Sequence, residues 1–107
     1  MPKTVFRTKI TMVKEDLSKS FFESTPGIEN AKAEWKSQGK ILNYYGENSE
    51  DGNTRVYICD FINEDFRNDF RILPEVDEGM QSLLVHNSNN GIVTYFEEMT
   101  TDTSDYD

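Results

Sequence analysis

The sequence predicts an α+β fold: a four-stranded antiparallel sheet carrying two helices on one face, in the ferredoxin-like order β-α-β-β-α-β. Three observations predict it. Lys40–Phe61 (KILNYYGENSEDGNTRVYICDF) sets two runs of apolar, aromatic and β-branched residues around a loop of Gly, Asn, Ser, Asp and Glu. That is a β-hairpin pattern, with Asp51-Gly52 as its turn dipeptide. A helical pattern lies on each side of the hairpin, and an alternating strand pattern closes each end of the chain.

The elements follow in order. Thr4–Val13 alternates: Phe6, Ile10 and Met12, with Thr8 between them, point one way, and Arg7, Lys9 and Thr11 point the other. This is a strand with one wet face. Leu17 and Phe21, four apart, suit a helical turn. Ser24 or Thr25 then precedes Pro26 as an N-cap before proline at the first helical position. Ile28, Ala31 and Trp35 fall on one helical stripe, and Gly39 is placed to end that helix. In the hairpin, Ile41, Leu42, Tyr44 and Tyr45 form the first arm. Val56, Tyr57, Ile58, Cys59 and Phe61 form the second, apolar on both faces as in a central strand. Asn63 is placed to cap a short helix in which Phe66 and Phe70 lie four apart. Pro74 punctuates, and residues 76–90 predict the second main helix, with Val76, Met80, Leu83 and Leu84 on one face. Gly79 within it costs about 1 kcal/mol relative to alanine. Asn87–Gly91 is a turn cluster, and Gly91–Met99 is the last strand. Residues 1–100 thus form a single domain, with 101–107 (TDTSDYD) an acidic, disordered tail.

Twenty acidic and eleven basic residues leave a net charge of −9 on 107 residues. The charge is uneven. Residues 1–22 hold five bases and two acids, whereas the last eleven residues hold five acids and no base. An acidic chain repels phosphate backbones and anionic membranes, so neither nucleic acid nor membrane is expected as a partner. The single cysteine, Cys59, rules out an intramolecular disulfide and suits a reducing compartment. No apolar run has the length of a membrane span or a signal-peptide core, so a cytoplasmic protein is expected.

Two helices cover only one face of such a sheet. By simple alternation the hairpin strands are apolar or aromatic on both sides: Leu42 and Tyr44 against Ile41 and Tyr45, and Val56 and Ile58 against Tyr57, Cys59 and Phe61. The last strand likewise sets Val93 and Tyr95 against Ile92 and Phe96. More apolar surface exists than one helical layer covers. That predicts a homodimer packed sheet to sheet, or a ligand pocket on the open face. Trp35, Tyr44, Tyr45, Tyr57 and Tyr95 are the candidate pocket or interface residues, although Trp35, Tyr44, Tyr45 and Tyr57 read better as core than as a pocket lining.

The order of elements, the helix-to-strand junction Trp35…Gly39-Lys40-Ile41 and the aromatic hairpin resemble the dimeric α+β barrel superfamily, which includes antibiotic-biosynthesis-monooxygenase-like proteins. The resemblance spans residues 4–99 and is one of pattern. It implies two ferredoxin-like protomers with their sheets face to face and a cavity between helices and sheet. The catalytic or haem-ligating histidines of some members have no counterpart in it, because the sole histidine, His86, lies late in the second helix. No functional residue is therefore carried over.

The residues themselves name no catalytic, cofactor-binding or metal-binding set. His86 stands at a helix end, where an imidazolium interacts favourably with the helix dipole. Cys59 has no cation near it in sequence to lower its pKa. One cysteine and one histidine exclude a Cys/His zinc site within a protomer. Glu47, Ser49 and Asp51 fall at EF-hand ligand positions when Gly52 takes the invariant glycine, but the last position is then Ile58 instead of Glu. Glu64, Asp65 and Asp69 read as an exposed helix face. No phosphate-cradling glycine motif occurs.

Three functions are compatible with these features. The first is a non-enzymatic module that acts through self-association or protein binding. The second is a small-molecule-binding or cofactor-free monooxygenase-like protein of the dimeric barrel type, with an enclosed cavity lined by Tyr and Trp. The third is an acidic nucleic-acid mimic, with carboxylates arrayed along one face. The sequence favours the first.

Overall fold

The computed structural model describes residues 3–103. Its elements are β1 (Thr4–Lys14), α1 (Pro26–Ser37), β2 (Ile41–Asn48), β3 (Thr54–Phe61), α2 (Glu64–Arg71), α3 (Pro74–Asn89) and β4 (Ile92–Asp102). The strands form one antiparallel sheet in the order β2-β3-β1-β4. The expected ferredoxin-like plan is present, with α2 as the short helix that Asn63 caps. Among the described residues, no helix is long and apolar enough to cross a membrane.

Local chemistry sets the helix ends. The Ile28 N–H donates to Thr25 Oγ1 at 3.3 Å, and Pro26 opens α1. At the other end, the Gly39 N–H donates to the Lys36 carbonyl and the Lys40 N–H to the Trp35 carbonyl, at 3.1 and 3.0 Å. This Schellman closure requires a left-handed residue, and Gly39 supplies it at φ 78°. The Phe66 N–H donates to Asn63 Oδ1 at 3.0 Å at the start of α2. In the hairpin loop, the Ser49 hydroxyl and the Asn53 N–H bind the Asp51 carboxylate and hold its pKa below the ordinary value.

The helices lie on one face of the sheet, and two buried clusters fill the space beneath them. One joins Ala31, Trp35, Ile41, Cys59, Phe61, Phe70 and Val76; the other joins Met12, Phe21, Phe22, Leu83 and Ile92. Trp35 meets Phe61, Phe66 and Phe70 edge-on, with centroids 6.5, 6.3 and 5.0 Å away. The edge of each ring, positive in its quadrupole, thereby faces a negative π surface. Gly79 is where α3 crosses α1. A Cβ there would stand 2.3 Å from Ile28 Cδ1, 2.6 Å from Ile28 Cγ1 and 2.8 Å from Thr25 Oγ1. The close approach explains a glycine that intrinsic helix propensity disfavours.

Four sequence expectations need correction. Residues 15–25 contain no helix. The Asp16 carboxylate accepts from both the N–H and the hydroxyl of Ser18, at 2.9 and 2.6 Å, and the Lys14 ammonium donates to the Lys19 carbonyl at 2.6 Å. These local bonds compete with helix and turn the chain. Extended backbone beyond them lets the adjacent Phe21 and Phe22 both be buried while Leu17 stays exposed. Second, residues 101–103 are not a frayed tail. Thr101 and Asp102 complete β4, opposite Val5 and Thr4. The Thr103 N–H donates to the Lys3 carbonyl, and the Lys3 N–H donates to Thr103 Oγ1. Residues 104–107 lie outside the described residues.

Third, the first hairpin arm does not alternate simply. The register shifts between Ile41 and Asn43, so Ile41 pairs with Phe61 while Tyr44 pairs with Cys59. This bulge puts Ile41 and Tyr44 on the helix side and Tyr45, opposite Ile58, on the other. Fourth, the face opposite the helices is not uniformly wet. Arg7 Nε and Nη2 donate to the two oxygens of Asp60 at 2.8 and 3.0 Å, across the β1–β3 ladder, with Asp60 fully buried.

Candidate functional site

Between the sheet and the helices lies a cavity of about 70 Å³. Strand register explains its floor. Thr8 and Ile10 of β1 stand beside Cys59 and Tyr57 of β3, all on the helix side. Ile28 and Lys32 of α1, Phe70 and Arg71 of α2, and Val76, Met80 and Leu83 of α3 form the walls and roof. The loop before α1 adds Phe22 and Ser24. Met80, unbranched and adaptable, is the most readily displaced part of the roof.

The lining is apolar with a few polar groups. Burial pushes the Cys59 thiol up to about 12, and the neighbouring Lys32 charge only partly opposes that. Cys59 is therefore a neutral thiol at neutral pH and acts as a small apolar filler, not a nucleophile. Thr8 Oγ1 donates to the Cys59 carbonyl at 3.4 Å, the long limit for such a bond. The Tyr57 hydroxyl donates to the Phe22 carbonyl and accepts from Arg55 Nη1, each at 3.4 Å.

Two cations complete the lining, and among the described residues no carboxylate does. Lys32 Nζ stands 3.2 Å from Glu29 Oε2, which also takes the Ser24 hydroxyl at 2.6 Å. The same ammonium lies 5.5 and 5.6 Å from the ring centroids of Tyr44 and Tyr57, within cation–π reach. Arg71 Nη2 stands 3.3 Å from Glu98 Oε1, and Arg67 Nη2 is 2.7 Å from the other oxygen of Glu98. Two arginines thus share one acid at the α2 edge, where the Arg67 guanidinium also covers the Phe6 ring at 5.4 Å.

The five aromatic residues singled out from sequence separate. Tyr57 lines the cavity. Tyr44 packs beside the core, and Trp35 is inside it. Tyr45 and Tyr95 lie on the face away from the helices, opposite Ile58 and Thr11. His86 is outside the cavity: its Nε2–H donates to the Ser20 carbonyl at 2.8 Å, and its ring meets Phe22 edge-on at 5.8 Å. It ties the 15–25 loop to α3. Among the described residues, no group of three or more His, Cys, Asp or Glu could hold a metal ion.

Lys32 and Arg71 were missed by sequence reasoning. Lys32 is four residues after Ile28, hence on the flank of the buried stripe, and Arg71 follows Phe70. The one signal at hand was Thr8, a polar residue set into the apolar face of β1.

Solved structures share this architecture. SnoaB, a cofactor-independent oxygenase from Streptomyces nogalater, superposes in a variant form with a TM-score of 0.62 at 13% identity, over 92% of this chain and 93% of that one. At that identity the likeness is one of fold, the ferredoxin-like α+β arrangement of one antiparallel sheet with helices on one face. A Bacteroides thetaiotaomicron protein provisionally described as an antibiotic biosynthesis monooxygenase matches at 0.54 and 11% identity, over 92% and 88% of the two chains. The hydroxynitrile lyase of Passiflora edulis matches at 0.54 and 12%, over 92% and 95%. No protein-family model matches the chain, and no curated protein matches it significantly. The names of these structures, an oxygenase and a lyase among them, show that one fold carries different chemistries, and the likeness of this chain to them is one of fold.

Proposed function

We propose that the protein binds a small molecule with an apolar body in the cavity between its helices and sheet, as a homodimer of the dimeric α+β barrel type. The observation that carries this reading is the cavity itself, partly open, mostly apolar and bordered by a few polar groups, as ligand sites are. The structural likeness supports it over a purely protein-binding module. The carboxylates do not favour a nucleic-acid mimic: Glu23, Glu29, Asp60 and Glu98 are paired with the protein's own bases, and Glu97 faces Lys9 across strands.

Size narrows the ligand. Typical drug-sized sites run to about 300–1,000 Å³, and an apolar cavity of about 150 Å³ holds benzene. A space of about 70 Å³ holds a short alkyl segment as it stands, and a chain of five carbons enters by displacing the adaptable Met80 side chain. The dimer rests on the face away from the helices, where Val93, Tyr95 and Met99 are 49%, 54% and 36% exposed. Such a patch on a small domain is stabilised by a self-complementary partner.

The test is titration of the protein with pentan-1-ol, followed by NMR. Saturable shifts at Thr8, Cys59 and Met80 are expected, and Cys59→Met, which fills the space, abolishes them. Shifts that are absent, or that persist in Cys59→Met, reject the site. Light scattering at micromolar concentration should give the mass of two chains; a one-chain mass rejects the dimer.

A further inference from the structure

We infer that the ligand of this cavity is an organic anion, a short-chain carboxylate or an acid of similar size, with its alkyl body under Met80 and Leu83 and its acidic group on the Lys32 ammonium. The inference rests on the reading of the cavity as a small-molecule site and adds the chemical class of its occupant.

The charge of the lining is the main argument. The chain holds nearly two acids for each base, 20 against 11. Its cavity inverts that ratio: among the described residues the lining holds Lys32 and Arg71 and no Asp or Glu. A cavity that took a neutral molecule would have no use for two cations at its wall, since charges bordering an apolar space lose hydration. They are held there by acids just outside: Glu29 behind Lys32 and Glu98 behind Arg71.

Lys32 is the better anchor of the two. Its side chain is 15% exposed, against 36% for Arg71, so it has already lost most of its water. An ammonium has three donors, and Glu29 engages Lys32 from one side at 3.2 Å. The rings of Tyr44 and Tyr57 cover another side without using its N–H groups. A carboxylate entering the cavity meets a positioned, partly dehydrated donor, and a charge-assisted hydrogen bond there is stronger than one made in water. An alcohol of the same length gains the alkyl burial alone.

The experiment compares pentanoate with pentan-1-ol at neutral pH by NMR titration of the intact protein. Pentanoate is expected to bind about tenfold more tightly, as one charge-assisted hydrogen bond implies. Lys32→Met should bring pentanoate down to the affinity of pentan-1-ol measured in the same variant, and Lys32→Arg should retain the preference. Arg71→Met should keep most of it. Equal affinity for acid and alcohol in the parent protein overturns the anion assignment and leaves the small-molecule reading standing. A preference that survives Lys32→Met overturns the anchor. Failure of both probes to bind overturns the site reading and this inference together.

Discussion

Replacing Gly79 by alanine separates what helix propensity favours from what packing allows. Propensity alone stabilises the alanine by about 1 kcal/mol. Packing opposes it. The new Cβ would sit 2.3 Å from Ile28 Cδ1 and 2.6 Å from Ile28 Cγ1, where carbons prefer about 3.5–4.0 Å. The conflict reaches past the tip of the side chain, and Ile28 is buried and β-branched, so it has little freedom to rotate away. Overpacking of this kind costs about 1–3 kcal/mol. The third neighbour, Thr25 Oγ1 at 2.8 Å, is the N-cap acceptor for the Ile28 N–H, and disturbing that cap costs about 1 kcal/mol more. The net expectation is a loss of about 1–3 kcal/mol, or roughly 4 °C of Tm for each kcal/mol in a domain of this size. Urea and thermal denaturation of Gly79→Ala, Ile28→Ala and the double variant form the assay. Ile28→Ala removes the clashing atoms, so Gly79→Ala should cost distinctly less in that background. Ile28 also lines the cavity. The single variant should therefore bind pentan-1-ol more weakly as Ile28 is pushed aside. A Gly79→Ala protein more stable than the parent refutes the close crossing of α1 and α3.

Two further outcomes follow from buried groups. Asp60→Ala removes the carboxylate that Arg7 Nε and Nη2 engage and should cost about 3–5 kcal/mol in urea unfolding, whereas Arg7→Met combined with Asp60→Leu should recover much of it; a single-variant loss under about 1 kcal/mol would give the pair only surface weight. Cys59 has a folded pKa raised to about 12 from the ordinary thiol value of 9.0. The unfolded chain thus loses that proton first as pH rises, and stability is whole below about pH 9 and falls between there and 12, by up to about 1.4 kcal/mol per unit. Cys59→Ala should flatten that part of the stability–pH curve, and the parent thiol should alkylate at pH 8 only on unfolding. Rapid alkylation of the folded protein contradicts both statements.

The parts of the fold legible in the sequence are those with a period or a cap. Alternation marked β1, the stripe of Ile28, Ala31 and Trp35 marked α1, and Asn63 and Gly39 marked helix ends by the hydrogen bonds they make. What escaped depends on partners distant in sequence. Leu17 and Phe21 have helical spacing, yet Asp16, Ser18 and a carbonyl bond from Lys14 turn that segment, and His86 holds it from α3. The bulge at Leu42 changes which tyrosine faces the helices, and one inserted residue leaves no mark on composition. Arg7 looked wet because alternation assigns a face and says nothing of what that face buries. Its partner Asp60 is 53 residues away, so only the β1–β3 register unites them.

The site was harder to read than the fold for a related reason. A cavity is a place where side chains fail to meet, and no residue encodes that failure. The aromatic residues were the natural candidates because large rings line pockets, but they also fill cores, and here Trp35 does so with three phenylalanines. The close crossing at Gly79 draws α3 onto α1 at Ile28, while Phe66 and Phe70 pack α2 against Trp35. Thr8 and Cys59, both short, then stand on the floor beneath a roof they do not reach. Lys32 and Arg71 enter the lining from the flanks of their helices, where a sequence reading assigns charge to solvent. The chemically decisive feature, two bases and no acid around an apolar space in an acidic protein, is visible only once the four elements that contribute it are folded together.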